Sequence, residues 1–189
     1  MVDLVLAPAQ SRVRIHTFAE GLFSRLAHDL KLTCGELSGT ASFDGKSGTA
    51  SIVAPLHGMS VAGTLGKDGC VDERGLNPSE RRDCIAKMHH DVFHARPDAV
   101  VKLEVHLDGD RARVRIVPPN GRAIEEVLSP SMHRDERGSV RASGAFDVSL
   151  MAIGSDLVKA PLNAFRVKDK VRVSFEVVFE ALAEAPAAG

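Results

Sequence analysis

The sequence predicts an all-β fold: an antiparallel up-and-down barrel of about eight strands, with one helix inserted near residues 78-93. Three observations predict it. Runs such as Lys170-Val171-Arg172-Val173-Ser174-Phe175-Glu176-Val177 alternate apolar and polar residues, so each strand has one dry and one wet face. Turn signals such as Asp44-Gly45 and Asp108-Gly109 fall at hairpin spacing. A single segment, Asn77-Pro78-Ser79-Glu80, carries a full helix-start signature of N-cap, N1 proline and capping-box glutamate. Many one-sided strands must share one interior, and a sheet closed on itself provides it.

In order along the chain, Arg12 to Phe18 alternates, with Val13 and Ile15 opposite Arg12, Arg14 and His16. Glu20 to Ala27 reads as a short amphipathic helical segment. Leu30 and Leu32 share a face, followed by Leu37, Ala41 and Phe43, and the change of parity predicts a bulge near Gly35-Glu36. Ala50, Ile52, Ala54 and Leu56 form the return strand. Met59 to Leu76 is glycine-rich and predicts a loop with a short strand at Ser60 to Thr64. In the helix, Cys84, Ile85, Met88 and Val92 share one face, and Pro97 ends the run.

Val101, Leu103, Val105 and Leu107 then alternate with polar residues, as do Ala112, Val114 and Ile116 after the Asp108-Gly109 turn. Pro118-Pro119-Asn120-Gly121 is another turn, residues 122-128 a weak strand, and Met132 to Gly138 a charged loop. Val140, Ala142, Phe146, Val148 and Leu150 oppose Arg141, Ser143, Asp147 and Ser149. Ile153 to Leu162 is a loop, the last strand follows, and the tail frays from about residue 183. No composition break divides the chain, so residues 1-189 are expected to form a single domain.

Composition narrows the function classes. A net charge of -1 gives no electrostatic footprint for nucleic acid. Aromatics are 4%, with no Trp or Tyr, which argues against base-stacking platforms and aromatic cages. No stretch is apolar enough to span a bilayer, and no secretory signal is seen. Cys34, Cys70 and Cys84 are odd in number without Cys-x-x-Cys spacing, so reduced thiols in a cytoplasm are expected.

The sharpest chemical motif is His90-Asp91-Val92-Phe93-His94, which echoes the H-E-x-x-H zinc helix. His90 and His94 are therefore the candidate metal ligands. They project opposite the Ile85–Met88–Val92 face, and the sequence favours a polar outer face over a metal site. His28-Asp29 has the makings of half a catalytic dyad, but no nucleophile elbow accompanies it, and a role at the barrel rim is the plainer reading. Arg111, Arg113 and Arg115 read as the solvated face of one strand. No catalytic residues are assigned.

One resemblance spans nearly the whole chain. Ser11-Arg12-Val13 begins it, followed by Phe23-Ser24, Ala27-His28-Asp29-Leu30 and Gly39-Thr40-Ala41-Ser42-Phe43-Asp44. Leu76-Asn77-Pro78-Ser79-Glu80-Arg81-Arg82-Asp83, Arg96-Pro97-Asp98-Ala99-Val100-Val101 and Phe165-Arg166-Val167-Lys168-Asp169 continue it. In these blocks the chain resembles the YceI-like family of lipocalin-like, polyisoprenoid-binding proteins. It departs at Val117-Pro118-Pro119-Asn120-Gly121-Arg122, where the family commonly has a glycine-containing strand pair. The resemblance implies a lipocalin-like barrel whose apolar channel holds an isoprenoid chain, as in a quinone or polyprenyl lipid. It transfers no catalytic residue and implies no cofactor beyond such a bound lipid.

Strand parity then names the expected cavity lining: Ile15, Phe43, Ile52, Leu103, Val105, Val114, Phe146, Val148, Val173 and Phe175. His28 and Asp29 are expected near the mouth. The leading expectation is a non-enzymatic binder of a small hydrophobic ligand. The alternatives are a metal-dependent hydrolase using His90 and His94, and a filled barrel acting through its surface, for example as a homodimer.

Overall fold

The structure is a computed structural model that describes residues 1–20, 29–66, 68–156, 158 and 166–181. The expected segment Glu20 to Ala27 and the frayed tail fall almost wholly outside these residues. Strands occur at Val2–Leu6 (β1), Arg12–Thr17 (β2), Ala19–Glu20 (β3), Asp29–Cys34 (β4), Ser38–Phe43 (β5), Ser47–Pro55 (β6), Met59–Leu65 (β7) and Val71–Asp72 (β8). The helix Pro78–Lys87 (α1) follows. Then come Val100–Asp108 (β9), Arg111–Val117 (β10), Ile124–Leu128 (β11), Ser131–Arg134 (β12), Val140–Ser149 (β13), Arg166–Val167 (β14) and Lys170–Ala181 (β15).

Register joins these segments into a ring of eight staves. Four staves are long strands broken midway: β1 with β2, β4 with β5, β6 with β7, and β11 with β12. The continuous staves are β9, β10, β13 and β15. One edge of β15 pairs with β2 and β1, and the other with β13. From β1 and β2 the ladder passes to β5 and β4, then to β6 and β7. It continues from β6 through β9 and β10 to β11. Past Ser129-Pro130, β12 pairs with β13 and completes the circuit, antiparallel throughout. This is the predicted all-β, lipocalin-like, up-and-down barrel with one α-helix among the described residues.

The breaks are built from residues that cannot continue a ladder. Pro8 opens a 3-10 turn between β1 and β2, and Leu56–Gly58 form another between β6 and β7. The expected irregularity near Gly35-Glu36 is the break between β4 and β5, after which Leu37 replaces the Leu32–Cys34 parity on the inner face. The first break stays stitched to β15. Ala7 N–H donates to the Val178 carbonyl at 2.8 Å, and the buried Ser11 Oγ accepts from Val178 N–H at 3.0 Å.

α1 starts as its sequence dictates. Asn77 Oδ1 accepts from the N–H groups of Ser79 and Glu80 at 2.9 and 3.0 Å, and Glu80 Oε2 accepts from Asn77 N–H at 2.8 Å. Arg81 then clamps the helix to the wall. Its guanidinium donates to the carbonyls of Leu76, Val61, Ala62 and Glu73. The α-helix gives way to a π-turn at Met88–Val92, closed by Phe93 N–H to the Met88 carbonyl at 3.2 Å. The predicted helix thus has two parts, and its predicted apolar face still turns inward through Cys84, Met88 and Val92.

Two segments differ from expectation. Met59 to Leu65 is a full strand rather than a loop with a short strand. Glycine hides it: Gly63 lies so close to Asp72 of β8 that a Cβ would meet the Asp72 carbonyl oxygen at 2.5 Å. The charged segment after Met132 begins as strand β12, with only Asp135 to Gly138 turning. All four β12 residues are exposed, so no alternation announces it.

The wet face holds one uncomfortable histidine. His16 lies between Arg172 of β15 and Lys31 of β4, with its Nε2 buried and lacking a hydrogen-bond partner among the described residues. Burial lowers its pKa below 6.5, and the charges of Lys31 and Arg14 lower it further. A depressed folded pKa means the unfolded state binds the proton more readily. The stability tied to neutral His16 is therefore fully present above pH 6.5 and is lost as pH falls through the folded value. His16→Gln should flatten the acid limb of urea midpoint against pH, and an unchanged limb would contradict this.

Candidate ligand-binding site: the barrel cavity

Inward rows from all eight staves and the inner face of α1 enclose a cavity of about 490 Å³. That lies within the usual range for small-molecule pockets. The ten positions named from parity, Ile15, Phe43, Ile52, Leu103, Val105, Val114, Phe146, Val148, Val173 and Phe175, all border it. Many of these inward residues, Leu103, Val105, Val173 and Phe175 among them, are only half-buried although they stand on the dry side of their strands. The surface they keep accessible faces the space within. Along β15 the lining runs from Val171 to Phe179, eight steps, or about 27 Å at about 3.4 Å per residue.

The chemistry of the lining is nearly uniform. Thr17, Ser42 and Thr49 bring hydroxyls, and Lys87 is the single charged lining residue among those described. Lys87 Nζ lies 3.6 Å from Asp91 Oδ2. Phe146 and Phe175 meet at 6.3 Å between ring centroids, tilted by 58°. Gly144 makes room for this pair, since a Cβ there would come within 3.0 Å of the Phe175 ring. Cys34 and Cys84 also line the space, and burial pushes both thiols up. Neutral thiols of this kind behave as small apolar groups.

Parity did not name several lining residues. Cys34 and Leu37 flank the β4–β5 break, where the face changes. Met88, Val92 and Phe93 come from the π-turn, whose apolar face was legible but whose seat against the cavity depends on tertiary packing.

The polar candidates are placed differently. Asp29 opens β4 and is absent from the lining; its Oδ1 accepts from Ala19 N–H at 2.8 Å, joining the starts of β3 and β4. His28 lies outside the described residues. His90 points away from the cavity, its side chain 89% exposed and Nδ1 2.7 Å from Asp91 Oδ1. His94 lies beyond the π-turn at φ 48°, with Nε2 3.7 Å from Asp156 Oδ2. The π-turn and the left-handed residue remove the one-turn helical stacking that the zinc motif requires. No cluster of three or more His, Cys, Asp or Glu suited to a metal occurs among the described residues. None of their helices is long and apolar enough to cross a membrane.

No family model matches the chain, and no curated protein matches it. Solved structures do. BcnA of Burkholderia cenocepacia is 13% identical with a TM-score of 0.62, covering 92% of this chain and 98% of that one. A polyisoprenoid-binding domain from Saccharophagus degradans, implicated in plant cell wall breakdown, is 13% identical with a TM-score of 0.66. That match covers 96% of this chain and all of the other. At such identity the likeness is one of fold, and on ring topology, inserted helix and near-complete coverage the chain has the YceI-like, lipocalin-like barrel fold.

Proposed function

We propose that this protein binds an isoprenoid-like lipid, a quinone or a polyprenyl chain, in the barrel cavity without transforming it. The observation that carries the reading is the continuous apolar channel, walled by every stave and interrupted by few polar groups. Each buried methylene contributes about 0.8 kcal/mol, so about ten of them approach micromolar affinity before ordering costs. The polyisoprenoid-binding domain of like fold supports the same ligand class. A carrier suits the lining better than a catalyst, because the hydroxyls are scattered, the thiols are raised and Lys87 is tied to Asp91. A filled barrel would leave no such channel, and the dispersed His90 and His94 give a metal hydrolase no support. The exposed, unpaired Cys70 fits a reducing, cytoplasmic setting.

Titration with a short-chain ubiquinone analogue tests the proposal. Saturable binding to one site per chain is expected. No uptake at concentrations well above micromolar would contradict it.

A further inference from the structure

The two ends of the cavity differ in chemistry. At one end β6 and β10 stop at Pro55 and Val117, and β9 and β15 begin at Val100 and Lys170. α1 and the π-turn pack there. Leu56 N–H donates to the Ala99 carbonyl at 2.9 Å, and His89 Nε2 lies 3.3 Å from the Leu56 carbonyl. Asp156 N–H donates to the Asp91 carbonyl at 3.0 Å. At the far end the cavity is bordered by Phe43, Leu107, Leu128, Met132 and Phe179, and by no charged residue among those described.

The charge sits at the helix end. Lys87, the last residue of α1, borders the cavity together with its helical neighbours Cys84 and Met88. Its side chain is 52% exposed, and Nζ stands 3.6 Å from Asp91 Oδ2. That is an ion pair, longer than the roughly 3.2 Å limit of a good N–H···O bond, so the three ammonium donors are not spent on Asp91. Asp91 itself is fixed. Its Oδ1 lies 2.7 Å from His90 Nδ1, and its carbonyl also accepts from Ser155 Oγ at 3.2 Å. A fixed carboxylate thus stations the ammonium at the edge of an apolar channel. Together the pair carries no net charge, so it suits a neutral oxygen acceptor better than a phosphate, which the Asp91 carboxylate repels.

We propose that Lys87 anchors the head of the bound lipid by donating a hydrogen bond to a quinone carbonyl oxygen, with the isoprenoid tail running toward Phe43 and Met132. The inference rests on the lipid-binding reading above and narrows it to a quinone held in one orientation. A hydrogen bond from an ammonium is charge-assisted and about twice as strong as one from a neutral donor. A head at the far end would meet only the hydroxyls of Ser42 and Thr49. The apolar far end suits a hydrocarbon tail, which needs no polar partner.

Infrared difference spectra of the protein with a short-chain ubiquinone analogue read the bond directly, because a hydrogen bond to a carbonyl lowers its stretching frequency. One carbonyl band should be lowered on binding to the native protein. Lys87→Met, which keeps an unbranched stem without the donor, should restore that band and weaken quinone binding by about tenfold to 100-fold. Lys87→Arg should keep the band lowered. Decylbenzene, which has no oxygen, should bind the native protein and Lys87→Met equally, separating a lost donor from a damaged cavity. A band unshifted in the native protein, or lowered equally in Lys87→Met, would overturn the anchor and leave the lipid reading standing. Equal losses of quinone and decylbenzene in Lys87→Met would do the same. A loss confined to farnesyl phosphate would overturn the quinone assignment. Binding of none of these ligands by the native protein would overturn both readings.

Discussion

A phenylalanine at Ala50 or Ala142 is expected to lower isoprenoid affinity by more than about 100-fold while leaving the barrel as stable as before, or more so. Ala50 on β6 faces Ala41 and Val105, and Ala142 on β13 faces Met132 and Val177; both alanines line the cavity. A ring at either site displaces about four ligand methylenes, or about 3 kcal/mol, which corresponds to somewhat more than 100-fold in affinity. The stability result distinguishes a hollow barrel from a filled one. Forcing a ring into a packed core costs about 1–3 kcal/mol, whereas filling a void commonly contributes about 0.5–2 kcal/mol. Urea midpoints measured beside the ligand titration read both effects. A strongly destabilised variant would mean that the interior is already full.

Arg81→Ala is expected to destabilise the protein by about 3 kcal/mol. The side chain ties together Leu76, Val61, Ala62 and Glu73 through their carbonyls, so the loop before α1, the edge of β7 and the helix depend on one guanidinium. A hydrogen bond to a charged group is worth about 1.5–3 kcal/mol, and bonds sharing one donor do not add. Arg81→Lys should recover less than half the loss, because an ammonium lacks the planar fork that reaches several acceptors. A urea midpoint unchanged in Arg81→Ala would show that the clamp is incidental.

Much of this was legible before the structure. Period-two alternation marks β9, β10, β13 and β15 because one face of each is dry, and the same parity named ten residues that border the cavity. The capping box at Asn77 and Glu80 was legible because it is a local device, complete within four residues. What stayed hidden depends on partners distant in sequence. β7 is concealed by the glycine that lets β8 approach, and β12 by its full exposure. His90 and His94 have the spacing of a zinc helix, and only the π-turn reveals that the spacing no longer means proximity to a common metal.

The central claim is that the barrel holds a lipid. Native mass spectrometry of the purified protein, followed by solvent extraction and identification of what is released, tests it most directly. A fraction of the protein should carry one apolar molecule per chain, lost on extraction, with an isoprenoid recovered in the organic phase. Protein that is free of lipid as purified, and that stays so after incubation with a quinone analogue, would contradict it.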